Sequence, residues 1–281
     1  MSHPKDHLKD KVVLVTGGAS GFGREITTQL ARGGAIPVAL DVNAAGVEEL
    51  AASLTSEGHR ARGLGLDVRD RQAFADVVDR VVADHGRVDV LVNNAGIMPL
   101  AYLADHRRAA DAWDRCIDIN LKGVLHGIYA VHDHMIRQGG GHIINISSVY
   151  GNAGVAGAAV YGATKAAVAT LSNALRVESQ GRIKVTVVRP SGVVGTNLFS
   201  EILDFEAPAA LAAHRAASFQ EHVRSFAGGT LPAGMADPED VRYWSLTPAQ
   251  VAAEIVRLID QPLGVAVTDI TLRATGEDYV F

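Results

Sequence analysis

Tyr161 and Lys165 stand four positions apart in Tyr161-Gly162-Ala163-Thr164-Lys165. In a helix that spacing places both side chains on one face, a turn apart. A phenol in water releases its proton near pH about 10, too high for ready exchange at neutral pH. An ammonium held beside it stabilises the phenolate and brings that proton within reach of chemistry. Taken in isolation, the pair reads better as two residues on a helix surface. A second candidate is Thr16-Gly17-Gly18-Ala19-Ser20-Gly21-Phe22-Gly23, directly after the apolar run Val12-Val13-Leu14-Val15 and before a helical pattern. Glycines there allow a tight turn and close backbone approach, and they leave the helix N-terminus open to an anion. Between a strand and a helix, a phosphate cradle is favoured over a plain flexible loop.

These residues need a frame, and the pattern of apolar runs supplies one. Short, continuously apolar segments at 12–15, 36–40, 61–66, 88–92, 142–147, 183–188 and 265–272 read as strands. Strands lacking polar alternation are buried on both faces, as in a parallel sheet covered by helices. Helical patterns follow the glycine turn and occupy 44–56, 71–84, 112–137 and 159–179, and Thr247-Pro248 opens another. The alternation predicts an α/β fold: one Rossmann-like, doubly wound parallel sheet of about seven strands with helices on both faces. No linker or repeat divides 1–281, so one dinucleotide-binding and catalytic domain is expected. The irregular stretch 195–245, rich in Ala, Phe and Gly, is expected to be a lid or loop insertion over the substrate.

Composition narrows the function classes. The 281 residues are 48% hydrophobic and 20% charged, with a net charge of −5. No Lys/Arg stripe is present to neutralise phosphates, which argues against a nucleic-acid surface. Cys116 is the single cysteine, so no internal disulfide can form; its helical context suggests a buried filler rather than a reactive thiol. His106, His126, His132, His134 and His142 form no ligand pattern, so no metal site is expected. The first eleven residues are charged and lack an apolar signal core, and no apolar run could span a bilayer. A cytoplasmic protein without membrane contact is expected.

The glycine spacing Gly17-x-x-x-Gly21-x-Gly23, the run Asn93-Asn94-Ala95-Gly96 after the fourth strand, and Tyr161…Lys165 occur in a telling order. The chain resembles the short-chain dehydrogenase/reductase family in its compact single-domain subclass, from about residue 11 to residue 275. The resemblance implies an oxidoreductase that moves a hydride between NAD(H) and a secondary alcohol or ketone, with Tyr161 as acid/base and the positive nicotinamide ring aiding Lys165. Adjacent strand residues face opposite sides, so only one of Ser147 and Ser148 can face the site. The family spacing to Tyr161 selects Ser148 to bind the substrate oxygen and leaves Ser147 to bond backbone. Asn120, in Asp118-Ile119-Asn120-Leu121, matches the family's helix asparagine, which holds a water linking Lys165 to solvent. A buried amide satisfying local backbone is the other reading. Lys165 is also expected on the nicotinamide ribose.

The same resemblance assigns the cofactor contacts. Gly17, Ser20, Gly21, Phe22 and Gly23 would form the phosphate turn. Asp41 ends the second strand, where an acid accepts hydrogen bonds from ribose hydroxyls and repels a 2′-phosphate. Neither Ser20 nor Val42 is basic, so NAD is favoured over NADP; Asp41 could at the same time cap the helix that follows. Asp67 and Val68 would hold the adenine, unless Asp67 only caps the next helix. Asn94, Ala95 and Gly96 leave the fourth strand beside the cofactor, with Asn94 also free to satisfy strand ends. The family's Pro-Gly-x-Val-x-Thr appears here as Pro190-Ser191-Gly192-Val193-Val194-Gly195-Thr196. Either the turn holds an extra residue or Gly195 takes the Thr position; Pro190, Val193 and Thr196 are the expected nicotinamide contacts.

Leu198, Phe199, Ile202, Leu203, Phe205, Phe219, Phe226, Met235 and Trp244 could wall an apolar substrate pocket, with Met98, Val149, Tyr150 and Val155 opposite. They could equally be the lid's own packing. Two further function classes share the fold: a nonredox, dinucleotide-dependent lyase or isomerase, and a noncatalytic dinucleotide sensor. The helices at 112–137 and 159–179 carry many small residues and are expected to form subunit contacts in a homo-oligomer; relatives are often homotetramers.

Overall fold

The computed structural model describes residues 6–204 and 206–280; Phe205 therefore lies outside the described residues. The first half runs β1 (Val12–Thr16), α1 (Gly21–Arg32), β2 (Ile36–Asp41), α2 (Ala44–Ser56), β3 (Arg62–Gly65), α3 (Arg71–His85) and β4 (Val90–Asn93). It continues through α4 (His106–Ile117), α5 (Gly123–Arg137), β5 (Gly141–Ile146), α6 (Ala159–Glu178) and β6 (Ile183–Pro190). Then come α7 (Ala216–Ala227), the single turn α8 (Ala233–Ala236), α9 (Pro248–Ile259) and β7 (Asp269–Leu272). The strands form one seven-stranded sheet in the order β3-β2-β1-β4-β5-β6-β7. Every pairing is parallel.

The apolar runs explain the layering. Every residue of β1, β4 and β5 is buried. Alternate side chains of β1 go to opposite faces, as the pleat demands. Val12 and Leu14 join Phe74, Val78, Val131 and Val168 from α3, α5 and α6. Val13 and Val15 meet Ile26 and Leu30 of α1 and Val251 and Ile255 of α9 on the other side. Strand order reverses between β1 and β4, and loops leaving their carboxyl ends diverge there to open a crevice.

Several helix boundaries depart from expectation. The N-cap of α2 is Asn43, whose side chain accepts from Gly46 N at 3.1 Å. Asp70 does the same for α3, accepting from Ala73 N at 2.9 Å. Neither Asp41 nor Asp67 caps a helix, which leaves both for other work. The helix expected over 112–137 is two helices, α4 starting earlier at His106, joined by a π-helical turn at Asp118–Lys122. Such turns insert a residue into the helical ladder and cluster at functional sites. Thr247, Pro248 and Gln250 open α9 with a full capping box. The last strand is shorter than read, beginning at Asp269. Among the described residues no helix is long and apolar enough to cross a membrane, and no cluster of His, Cys, Asp and Glu could hold a metal ion.

Candidate active site

A cavity of about 590 Å³ opens at the carboxyl ends of the strands, over the β1/β4 crossing point. The glycine turn forms one end. Gly17 and Gly21 take positive φ (67° and 49°), and both line the cavity with Ser20 and Phe22. Ser20 sits at the α1 N-cap without bonding a backbone N–H, and the first turn of α1 carries no acidic side chain. That helix end therefore presents free N–H groups and a positive dipole end to whatever anion enters. Gly23 lies behind the turn: a Cβ there would stand 2.1 Å from the Gly17 carbonyl oxygen, so only glycine fits.

Asp41 also reaches this end. Its Oδ2 accepts from Ala19 N at 3.1 Å and its Oδ1 from Asn43 N at 2.9 Å, fixing the carboxylate at the cavity wall. Asp67 and Val68 line the neighbouring stretch. The Asp67 carboxylate pairs with Arg69, whose side-chain hydrogen bond holds it below the usual carboxylate range. Asn94 donates from Nδ2 to Thr16 O at 2.8 Å, while Thr16 Oγ1 accepts from Asn94 N and Ala95 N at 2.9 and 3.0 Å. These bonds join the ends of β1 and β4, as the small residues Ala95 and Gly96 run along the cavity.

At the other end Tyr161 and Lys165 project from α6 into the same cavity, both almost fully buried (4% and 5% exposed). Lys165 Nζ lies 5.7 Å from the Tyr161 ring centroid and donates to Ile146 O, at the end of β5, at 2.9 Å. Burial pulls the Lys165 ammonium down to about 8. Burial pushes the Tyr161 phenol up, opposed by a hydrogen bond with Ser148. The lowered phenol expected from sequence is thus not what the protein alone provides; desolvation outweighs the helix-face pairing. Ser148 lines the cavity and accepts from Tyr150 N at 3.2 Å, capping a 3-10 turn at Val149–Gly151. Ser147 Oγ donates to Lys165 O at 2.8 Å, the backbone bond expected of it.

The π turn places Asn120 beneath this pair. Its Nδ2 donates to Ile97 O and its Oδ1 accepts from Ile97 N, both at 2.9 Å. The buried amide is therefore engaged with local backbone, and it pins the strand exit that carries Gly96. A Cβ on Gly96 would come within 3.2 Å of Asn120 Oδ1 and 3.5 Å of Lys165 Nζ. Cys116 fills space one turn earlier, and burial pushes its thiol up to about 11.

The turn after β6 brings Thr196, not Gly195, to the cavity wall. Val193 bridges to Leu246 in parallel register, Gly195 takes φ 79°, and Thr196 swings back to lie against the glycine turn. A Cβ on Gly21 would meet Thr196 Cβ at 3.7 Å. Pro190, Val193 and Thr196 line the main cavity; Gly195 does not.

The apolar residues beyond divide between the two readings left open by sequence. Leu198, Phe199 and Pro208 line the cavity, opposite Met98 and Tyr150. Ile202, Val149 and Val155 pack behind Tyr161, and Leu203 packs against Trp113. Phe219, Met235 and Trp244 form a separate cluster, with Phe226 6.2 Å from the Trp244 ring. The C-terminal segment went unnoticed in the sequence. Glu277 bonds both Ser191 and Arg273, and Asp278 ties to α7 and Trp244. Tyr279 lines the cavity. An aromatic residue directly after the polar run Thr275-Gly276-Glu277-Asp278 was the available signal.

Residues 11–207 match the model of the short chain dehydrogenase family. Cyclopentanol dehydrogenase of Comamonas sp. (strain NCIMB 9872) is 40% identical over 198 residues, covering 70% of this chain and 78% of that one. An uncharacterized oxidoreductase of Listeria monocytogenes is 32% identical over 274 residues, covering 97% and 99%. The closed form of serine dehydrogenase complexed with NADP+ superposes with a TM-score of 0.74 at 29% identity, covering 93% of this chain and 94% of that one. The strand order and the crevice over its reversal are thus accompanied by relatedness along almost the whole length, and the protein belongs to the short-chain dehydrogenase/reductase family of oxidoreductases.

Proposed function

We propose that the protein moves a hydride between NAD(H) and a secondary alcohol or ketone, with Tyr161 exchanging the proton of the reacting oxygen. The observation carrying this reading is that Tyr161, Ser148 and Lys165 meet at the end of a cavity that begins at an uncapped helix N-terminus. Bound nicotinamide would supply or accept the hydride. The residues present fit such a dinucleotide: Gly17, Ser20, Gly21 and Phe22 would take its phosphates, with Gly23 keeping the turn tight. Asp41 would take the adenosine ribose, Asp67 and Val68 the adenine. Asn94, Ala95, Gly96, Tyr161 and Lys165 would flank the nicotinamide ribose, and Pro190, Val193 and Thr196 its ring.

During oxidation, Ser148 donates to the substrate oxygen and Tyr161 receives the hydroxyl proton, so no free alkoxide forms. Lys165, charged at neutral pH and fixed by Ile146 O, favours the phenolate that this exchange requires. Asn120 is a positioning residue, since it holds the Ile97 backbone and so the wall at Gly96; in the relay the family suggests, it would also stand on the proton's route from Lys165 to solvent. Residues 195–245 act as the lid. Leu198, Phe199 and Pro208 exclude water from the reacting centre and receive the apolar part of the substrate. The identity with a cyclopentanol dehydrogenase makes alicyclic secondary alcohols the first substrates to try.

NAD is preferred in this reading because the Asp41 carboxylate, held at the cavity wall by Ala19 N and Asn43 N, would repel a 2′-phosphate brought to the adenosine ribose there. Homo-oligomer contacts are proposed on α5 and α6, which expose Tyr129 and Val177 (57% and 62%); light scattering tests this. The deciding experiment follows nicotinamide absorbance with secondary alcohols and ketones, using NAD and NADP in parallel. Turnover with NAD, reduced at least about 100-fold in Tyr161→Phe with cofactor binding intact, is expected. Near-normal turnover in that variant, or no nicotinamide oxidation or reduction with any substrate, would refute the proposal.

A further inference from the structure

Three phenols meet at the substrate end of the cavity, and Tyr161 accounts for one of them. Tyr150 lies edge-on to Tyr161, ring centroids 5.6 Å apart. Tyr279 packs against the apolar cluster that contains both. Its ring covers the turn after β6, so that a Cβ on Gly192 would come within 2.8 Å of it. Tyr279 thus covers that turn and lines the same cavity as Tyr161.

The segment that delivers Tyr279 is held firmly. The Asp278 carboxylate accepts from Ser218 Oγ at 2.9 Å and Trp244 Nε1 at 2.8 Å, and it bonds His222 Nδ1 at 2.8 Å. The Glu277 carboxylate bonds Ser191 and Arg273. Phe219 flanks the ring of Tyr279, centroids 5.3 Å apart. A phenylalanine would make all the ring contacts. The Tyr279 hydroxyl has no hydrogen-bond partner among the described residues, in contrast to Tyr243, which donates to Gln250 Oε1 at 2.9 Å. Nor is it sealed away: among the described residues, Ser179 Oγ is the only side-chain atom both sealed and unpartnered. A hydroxyl taken from bulk water without a replacement bond costs about 1–3 kcal/mol. Placed rigidly on a cavity wall, it is addressed to what the cavity receives.

We propose that Tyr279 is a specificity-determining residue whose hydroxyl bonds a second oxygen on the substrate, next to the carbon that is oxidised or reduced. Preferred substrates are then vicinal diols and α-hydroxy ketones rather than plain alcohols and ketones of the same ring. The second oxygen keeps all its bonds; only the first is oxidised or reduced, as in the hydride-transfer reading on which this inference rests.

The test compares cyclopentanol with cis- and trans-cyclopentane-1,2-diol as substrates for the wild-type enzyme and Tyr279→Phe. The wild type is expected to favour one of the diols in kcat/KM. Tyr279→Phe should lower kcat/KM for that diol about 10-fold, the worth of one hydrogen bond. Its kcat/KM for cyclopentanol should stay within about 2-fold, with NADH binding by fluorescence and the melting temperature unchanged. A wild-type preference for cyclopentanol, an equal loss on both substrates, or no loss on the diol would overturn the role of Tyr279. A wild type that oxidises or reduces nicotinamide with none of the secondary alcohols and ketones tried, these included, would instead overturn the hydride-transfer reading, and the role of Tyr279 with it.

Discussion

The Ser191 hydroxyl is hydrogen-bonded to the Glu277 carboxylate, tying the turn after β6 to the C-terminal segment. Glycine, the family's usual residue at that position, has no hydroxyl to offer, so the departure seen in the sequence has a partner in the structure. Glu277 is 8% exposed, and burial pushes its carboxyl up despite the bonds from Ser191 and Arg273. Removing the Ser191 donor leaves a buried acceptor short of a partner. Ser191→Ala should therefore lose about 1–2 kcal/mol in urea unfolding and expose the C-terminal segment to proteolysis. A variant as stable and as protease-resistant as the wild type would show the bond to be idle.

The sheet was legible in the sequence because runs such as Val12–Val15 and Ile143–Ile146 are short, mainly apolar and regularly alternated with helical patterns, as strands buried on both faces are. The phosphate turn and the Tyr161/Lys165 face were legible for similarly local reasons. What escaped depends on contacts distant in sequence. The stretch Asp118-Ile119-Asn120-Leu121-Lys122 contains neither Pro nor Gly, so nothing local announces a π turn. The break lies where the Asn120 amide holds the backbone of Ile97. Nothing local marks Glu277 and Asp278 either: their partners, Ser191, Ser218, His222 and Trp244, are brought to them by the fold. Asp41 and Asp67 were open to a capping role because an acid before a helix usually caps it, yet Asn43 and Asp70 stand closer to the helix starts.

Asn120 makes its own prediction. Truncation to Ala would strand the N–H and C=O of Ile97, two part-buried backbone groups that its amide now satisfies. A loss of about 3 kcal/mol in unfolding free energy is expected for Asn120→Ala. Asn120→Asp should do no better, because it keeps the acceptor, loses the donor and buries a charge. If Asn120→Asp proves as stable as the wild type, the Ile97 clamp is not what holds this wall.

Asp41 governs the cofactor in the proposed function. Its charge opposes a 2′-phosphate, and charges about 4 Å apart near a protein surface interact by several kcal/mol at most. Asp41→Asn keeps an acceptor for Ala19 N while removing that charge. The ratio of kcat/KM for NADP to that for NAD should rise at least about 10-fold. An unchanged ratio in a folded variant would remove Asp41 as the discriminating residue.

Lys165 links the site to stability. In the unfolded chain its ammonium titrates at its ordinary 10.5, whereas burial in the fold pulls it down to about 8. Between those values the unfolded chain binds more protons than the native one, so this group's contribution to stability rises with pH through that window. The gain from pH about 8 to pH about 10 amounts to about 2 kcal/mol. Tyr161 acts in the opposite sense above pH about 10, since burial lets the native phenol keep a proton that the unfolded chain loses. Cys116, pushed up to about 11 by burial, acts in that sense too. Both are present in Lys165→Met, so most of their own titration cancels in the difference between variant and wild type. Lys165→Met should be the more stable protein at pH about 8, and its advantage should shrink by about 2 kcal/mol by pH about 10. Parallel stability curves for the two proteins across that range would mean that Lys165 is solvated and titrates in the fold as it does in the unfolded chain.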